Sequence, residues 1–342
     1  MRETTAAVPG GSSRWAAAAG GLAAVIAVLA VAELSIGQPM IAPERLPGVL
    51  FGESGEPLER LAIHELRLPR LILAVLGGAG FGLSGAILQV VLRNPLASPE
   101  LLGVSGGASL AMAVVLLLNV PVVFSLHPVV ALAGGLGASV VVLLTSRGAR
   151  SPVEAALTGV AVAALLNGMI VAVISLAASS GAVQVLFLFT VGNLSNRSWN
   201  HVELVCPWLA AGIPTALVLA QAANVLQLHD DLSSSLGART LQLRALFVVL
   251  AASLVAALVA VAGPIAWVGL LTPHLAGLLV GKPDARLLFP ASMVIGALLV
   301  LASDVLAKVV IYPWEVPVGL CTTLVAAPPM LWLLRRSSAG LV

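Results

Sequence analysis

Few residues in this chain are of types that do chemistry, and their spacing decides which reactions are open to them. Gly103-Val104-Ser105-Gly106-Gly107 fits the G-x-S-x-G pattern, in which a strained strand-to-helix turn activates a serine. Here the pattern opens an apolar helix with no strand before it, so that turn has no place to form. Gly277-Leu278-Leu279-Val280-Gly281-Lys282 resembles a phosphate-cradling loop. It has one residue too few before Gly281, and Pro283 stands where a Ser or Thr would be needed. The chain is therefore expected to hold no cofactor and no nucleotide of its own. Cys206 and Cys321 are far apart in apolar surroundings and read as small core residues rather than a disulfide or a metal site.

Charges inside apolar runs are the remaining candidates, because burying them is expensive. They are Glu154, Asp304 and Lys308, with His274 as a titratable neighbour. Asp304 and Lys308 are four apart, a spacing at which they can pair on one helix face. An ion-coupled carrier would be expected to bury more acids than this.

The elements that must position these residues follow from composition. With 59 % hydrophobic and 9 % charged residues, the chain is far from the quarter of charged residues usual in soluble domains. An unpaired backbone group in lipid costs several kcal/mol and a span needs about 20 apolar residues, so the expected fold is an all-α polytopic membrane protein. About ten helices are expected, near 15–32, 68–92, 101–119, 127–145, 153–177, 201–225, 239–262, 266–280, 289–311 and 315–334. Ala30-Val31-Ala32 also fits a small-x-small cleavage pattern, but the run before it is long enough to span and is read as the first helix. The 33 glycines suit close helix packing, as in Gly78-Ala79-Gly80-Phe81-Gly82.

An even number of spans puts both termini on one side. With the N-terminus in the cytoplasm, Arg2, Arg14, Arg93, Arg147, Arg150, Arg239, Arg244, Lys282, Arg286, Arg335 and Arg336 lie inside, against Arg45, Arg60, Arg67, Arg70, Arg197 and Lys308 outside. The expected division is a disordered cytoplasmic segment over 1–14, one transmembrane domain over 15–336 and a cytoplasmic tail over 337–342. Between 178 and 198 a stretch too short and polar to cross and return reads as a re-entrant turn or an ordinary outer loop. The polar interruption Leu228 to Thr240 is longer than a minimal loop, opens with capping-type residues and closes on Gly237, which predicts a short surface helix facing the cytoplasm.

Four separated stretches resemble one family, the iron-siderophore and cobalamin permeases of bacterial ABC importers (BtuC/FecCD, type II importer fold). They are Arg67-Leu68-Pro69-Arg70, Ser84 to Gln89, the block from Arg93-Asn94-Pro95-Leu96-Ala97-Ser98-Pro99 to Ala108, and Gly263-Pro264-Ile265-Ala266-Trp267-Val268-Gly269-Leu270-Leu271-Thr272-Pro273-His274. Ser235-Leu236-Gly237 and Val316-Pro317-Val318-Gly319 fit the same pattern. Gly277 and Ala285 depart from it, standing where the family usually has arginine and histidine.

The resemblance implies a BtuC-like permease in a bacterial cell membrane that moves ferric-siderophore chelates inward, with cobalamin or haem as the alternative cargo. It implies a second permease subunit, favouring a non-identical one, two cytoplasmic ATPase subunits that carry ATP and magnesium, and an extracytoplasmic siderophore-binding protein. It implies no nucleic-acid partner. By position, Arg67, Arg70 and Lys308 match the basic residues that dock the binding protein. Asn94, Leu96, Ser151, Pro152 and Val153 match the cytoplasmic gate, and Asp230, Asp231, Leu232, Ser235, Leu236 and Gly237 match the helices that couple to the ATPase.

Overall fold

The structure is a computed structural model that describes residues 11–52, 54–146, 152–176, 191–228, 240–281 and 284–338. Among these, seven helices are long and apolar enough to cross a membrane, and three shorter apolar ones complete the ten expected. In chain order α1 covers Gly11–Ser35, and the short α2 (Leu46–Leu50) and α3 (Pro57–Leu61) lead through a π turn at Ala62–Arg67 into α4 (Leu68–Val91). There follow α5 (Val104–Leu117), α6 (His127–Thr145), α7 (Pro152–Leu176), α8 (Trp199–Val218) and α9 (Ala220–Gln227). The last four are α10 (Thr240–Ala262), α11 (Val268–Val280), α12 (Ala285–Val309) and α13 (Val318–Ser338). Helix α1 begins four residues before the expected first span, and the expected single span over 201–225 is broken at Leu219 into α8 and the short α9.

Helix α4 is the centre of the bundle, in contact with α8, α10, α11 and α12, while α12 also meets α1 and α13. Together α4 and α10 are the most enclosed helices, and α1 and α7 turn most of their surface outward. Lipid tails are as apolar as leucine, so these helices gain little by merely hiding apolar surface from lipid and hold together by close packing and internal hydrogen bonds. Glycine makes that approach possible. A methyl group on Gly78 would lie 2.2 Å from the Gly296 carbonyl oxygen, and one on Gly85 would lie 1.8 Å from that of Gly269. The Ser84 hydroxyl adds a hydrogen bond to the Ala251 carbonyl at 3.0 Å, and the Gln89 amide one to the Leu270 carbonyl at 3.2 Å.

Helices α5 and α11 are short for a physical reason. At 1.5 Å per residue, α5 reaches only about 21 Å, less than the ~30 Å of hydrocarbon. The missing length is supplied by the connections before them. Ala97, Ser98 and Pro99 are buried, so the connection from Leu92 to Gly103 runs into the bundle rather than over it. Irregular backbone at such depth is tolerated where protein encloses it. The entry into α5 is made at Gly103, with φ 74°, and the entry into α11 at Trp267, with φ 71°.

Candidate functional site

Two places at opposite ends of α4 gather the residues singled out from the sequence. At its start lies a mouth, a cavity of about 580 Å³ lined by Arg67, Arg70, Lys308, Ser195, Trp314 and Glu315 among others. The end of α1, the start of α4, the end of α12 and the segment before α13 meet there.

Arg70 is the hub of the mouth. Its Nε and Nη2 donate to the two carboxylate oxygens of Asp304, each at 2.8 Å, and its Nη1 donates to Glu315 Oε2 at 2.7 Å. Lys308 forms an ion pair with Glu33 and donates to the Glu33 carbonyl at 3.1 Å. Asp304 and Lys308 therefore do not pair with each other as their spacing suggested. Each side chain leaves α12 towards a different helix, and each finds there a charge of opposite sign, on α4 and α1. Arg67 donates to the Leu34 and Ser35 carbonyls at 2.5 and 3.3 Å and to the Pro39 carbonyl, which pins the turn after α1. Glu154, expected within a span, is an exposed residue in the first turn of α7.

Arg67, Arg70 and Lys308 are only 5 to 6 % exposed, so they lie inside the mouth and not on a raised rim. Glu315 is the accessible member of the cluster, with its side chain 40 % exposed. Burial pushes its carboxyl up, but the Arg70 charge and hydrogen bonds from Ser195 and Arg70, with Lys308 further off, hold it below the ordinary carboxylate range. Sequence reasoning missed Glu33 and Glu315. A lone acid closing the apolar run before Leu34 was the available signal for the first, and nothing local marked the second.

At the other end of α4 lies the connection that carries Asn94 and Leu96. The Asn94 side-chain oxygen accepts the Leu96 N–H at 2.9 Å, which fixes a tight turn around Pro95. Arg93 holds a left-handed backbone, φ 50°, and donates through Nε to the Leu226 carbonyl at 2.7 Å and through Nη2 to the Leu228 carbonyl. Asn224 bridges to Asp284 and to the Ala285 N–H, at 2.7 and 2.8 Å, and so joins α9 to the start of α12. The Arg286 side chain, then hydrogen bonds from Asn224 and the Arg286 amide, holds the Asp284 carboxyl down at about 2. Helix α7 starts at Pro152 and runs against this connection, where a methyl on Gly159 would sit 2.0 Å from the Leu101 carbonyl oxygen. Ser151 and the residues expected to couple to the ATPase, Asp230, Asp231, Leu232, Ser235, Leu236 and Gly237, lie outside the described residues, as does 177–190 of the expected outer turn.

Seven spanning and three shorter apolar helices among the described residues, with a charged mouth at one end and a braced, buried connection at the other, define a multi-pass membrane permease, a transport component and not an enzyme. The chain belongs to the FecCD transport family, whose model matches residues 24–336. It is 37 % identical over 317 residues to the Fe(3+)-citrate import system permease protein YfmE of Bacillus subtilis, covering 92 % of this chain and 93 % of that one. It is 38 % identical over 279 residues to YfmD, a permease of the Fe(3+)-citrate import system of the same organism, covering 81 % and 82 %. A solved structure described as an inward-facing conformation of a metal-chelate type ABC transporter superposes with a TM-score of 0.80 at 26 % identity, covering 94 % of this chain and 99 % of that one.

Proposed function

We propose that the chain is the permease through which a ferric-siderophore chelate, of the citrate or hydroxamate type, enters the cytoplasm, driven by ATP hydrolysis in a separate subunit. The observation that carries this reading is the family match over nearly the whole chain, together with relatives at 37 and 38 % identity that are both named as Fe(3+)-citrate permeases. That two different permeases carry the same system's name supports pairing with a second, non-identical permease. The cargo keeps its iron on the chelator, and selectivity rests with an extracytoplasmic binding protein.

In this reading both termini are cytoplasmic, as the distribution of Arg and Lys suggests. The mouth then faces outward, and the binding protein docks over Arg67, Arg70 and Lys308 through its own acids, which compete with Glu315 for the Arg70 guanidinium. The connection at Asn94 and Leu96, with Ser151, Pro152 and Val153 at the start of α7, forms the inner gate. The segment from Asp230 to Gly237 seats in a groove on the ATPase, and Arg93 links its stem to the gate.

The deciding experiment is uptake of ⁵⁵Fe-citrate into proteoliposomes that hold this chain, its partner permease, the ATPase and the binding protein. Uptake is expected to need ATP and the ATPase and to survive an ionophore. Uptake that persists without the ATPase, or that an ionophore abolishes, would overturn the reading in favour of an ion-coupled carrier. Leu232→Glu with Leu236→Glu is expected to lose co-purification of the ATPase while the permease stays folded, and a cysteine at Ser233 is expected to be labelled only from inside.

A further inference from the structure

A second, smaller cavity belongs to neither the mouth nor the gate. It measures about 170 Å³ and lies between the connection before α5, the first turns of α5 and the middle of α7, lined by Glu100, Ser105, Ser109 and Asn167 with the apolar Ala163 and Ile170. Both carboxylate oxygens of Glu100 and the hydroxyls of Ser105 and Ser109 are shut off from solvent and meet no hydrogen-bond partner among the described residues. The nearby Ser98 hydroxyl accepts the Leu101 N–H at 3.3 Å.

Buried polar groups are nearly always partnered, so three side chains that face one volume without a protein partner point to a shared ligand rather than to three separate defects. The volume has room for several water-sized groups at about 30 Å³ each. Its polar lining is a carboxylate, two hydroxyls and one amide, a set of hard oxygen donors without a thiolate or an imidazole, which suits alkali and alkaline-earth cations over transition metals. Charge then narrows the class. Glu100 is the one charged side chain lining the cavity. A monovalent cation cancels it, whereas a divalent one would leave an uncompensated positive charge in a low-dielectric site. Asn167 is an exposed residue in the middle of α7.

We propose that this cavity binds a monovalent alkali cation, with the Glu100 carboxylate as counter-charge and oxygens of Ser105, Ser109 and Asn167 in its shell. Such an ion cross-links three elements, the buried connection, α5 and α7, close to the backbone that carries Asn94 and Leu96. Nothing in this depends on the identity of the cargo or the ATPase.

The test uses the full-length chain in detergent micelles, with ²²Na⁺ as the probe and choline chloride to keep ionic strength constant. Saturable binding of one ion per chain is expected, displaceable by unlabelled sodium or potassium, together with a rise in unfolding temperature in sodium that choline does not give. Glu100→Gln is expected to abolish both effects and to match the wild type's stability in choline. Ser109→Ala, a milder change should the first variant fold poorly, is expected to weaken binding severalfold. Wild-type chain that binds no ²²Na⁺ and unfolds alike in both salts would overturn the proposal, leaving a protonated carboxyl solvated by water. Unchanged affinity in both Ser109→Ala and Asn167→Ala, or full affinity in Glu100→Gln, would overturn it equally.

Discussion

Arg70 and Asp304, 234 positions apart, meet as a two-pronged pair in which both carboxylate oxygens accept a guanidinium N–H at 2.8 Å. The pair ties the start of α4 to the last turns of α12, and both side chains are almost fully enclosed. Removing one partner of such a pair strands the other charge, which typically costs about 3–5 kcal/mol. Arg70→Met, which strands Asp304, should lower stability by that order in denaturant unfolding in micelles, and Asp304→Leu should cost less because Arg70 keeps Glu315 at 2.7 Å. The double variant should recover most of the loss, because replacing a buried pair by apolar groups is often neutral. Arg70→Lys should not recover it, since an ammonium lacks the planar fork.

Glu315 gives the mouth a dependence on pH. Its carboxyl is held below its ordinary value, so it contributes stability that is present at neutral pH and lost as pH falls through its folded-state pKa. The loss should begin near the free glutamate value of about 4.3 and continue below it. Unfolding temperature should therefore fall more steeply between pH 6 and pH 3 in the wild type than in Glu315→Gln, and the two curves should converge at the acid end. Parallel curves would show that the Arg70–Glu315 contact contributes nothing measurable.

The close approach of α4 to α11 rests on Gly85. A methyl there would lie 1.8 Å from a backbone oxygen, which cannot swing aside as a side chain can. Overpacking a core usually costs about 1–3 kcal/mol, and here the helices themselves must part, so Gly85→Ala should cost at least that or abolish folded yield. Gly137 on α6 is the control, with nothing within 4 Å of an added methyl. Gly137→Ala should be neutral or stabilising by up to about 1 kcal/mol. Size-exclusion yield and unfolding temperature of the two variants decide the matter.

The helical architecture was legible in the residues because lipid imposes one rule on every span. Runs such as Leu68 to Val91 and Leu241 to Ala262 announce themselves by length and apolarity alone, and their ends were expected within a few residues. The charged cluster was legible only in part. Asp304 and Lys308 stood out as charges in an apolar run, yet helical spacing says which residues share a face and not which other helix that face meets. Their partners, Arg70 and Glu33, come from α4 and α1, and local pattern carries no record of that pairing. The same limit explains Glu100, which sits in a connection where a carboxylate looks ordinary until the helices around it close.

Arg93 supplies the last test, because it joins the two ends of the proposed coupling path. It stands directly before Asn94 and spans to the carbonyls of Leu226 and Leu228, the final described residues before the coupling segment. Its left-handed backbone, φ 50°, is a strained state for a side chain of this size and persists only where the surroundings hold it. Hydrogen bonds from a charged group contribute about 1.5–3 kcal/mol each, so their loss should weaken transmission between the segment and the gate by about tenfold or more. In Arg93→Gly the backbone strain is relieved while the clamp is lost. Stability should fall only modestly, since relief of the backbone strain offsets part of the two lost hydrogen bonds, and the ATPase should still co-purify, but ATP-driven uptake in proteoliposomes should fall by about that factor. If uptake is retained in Arg93→Gly, the link between the stem of the coupling segment and Asn94 does not run through this side chain.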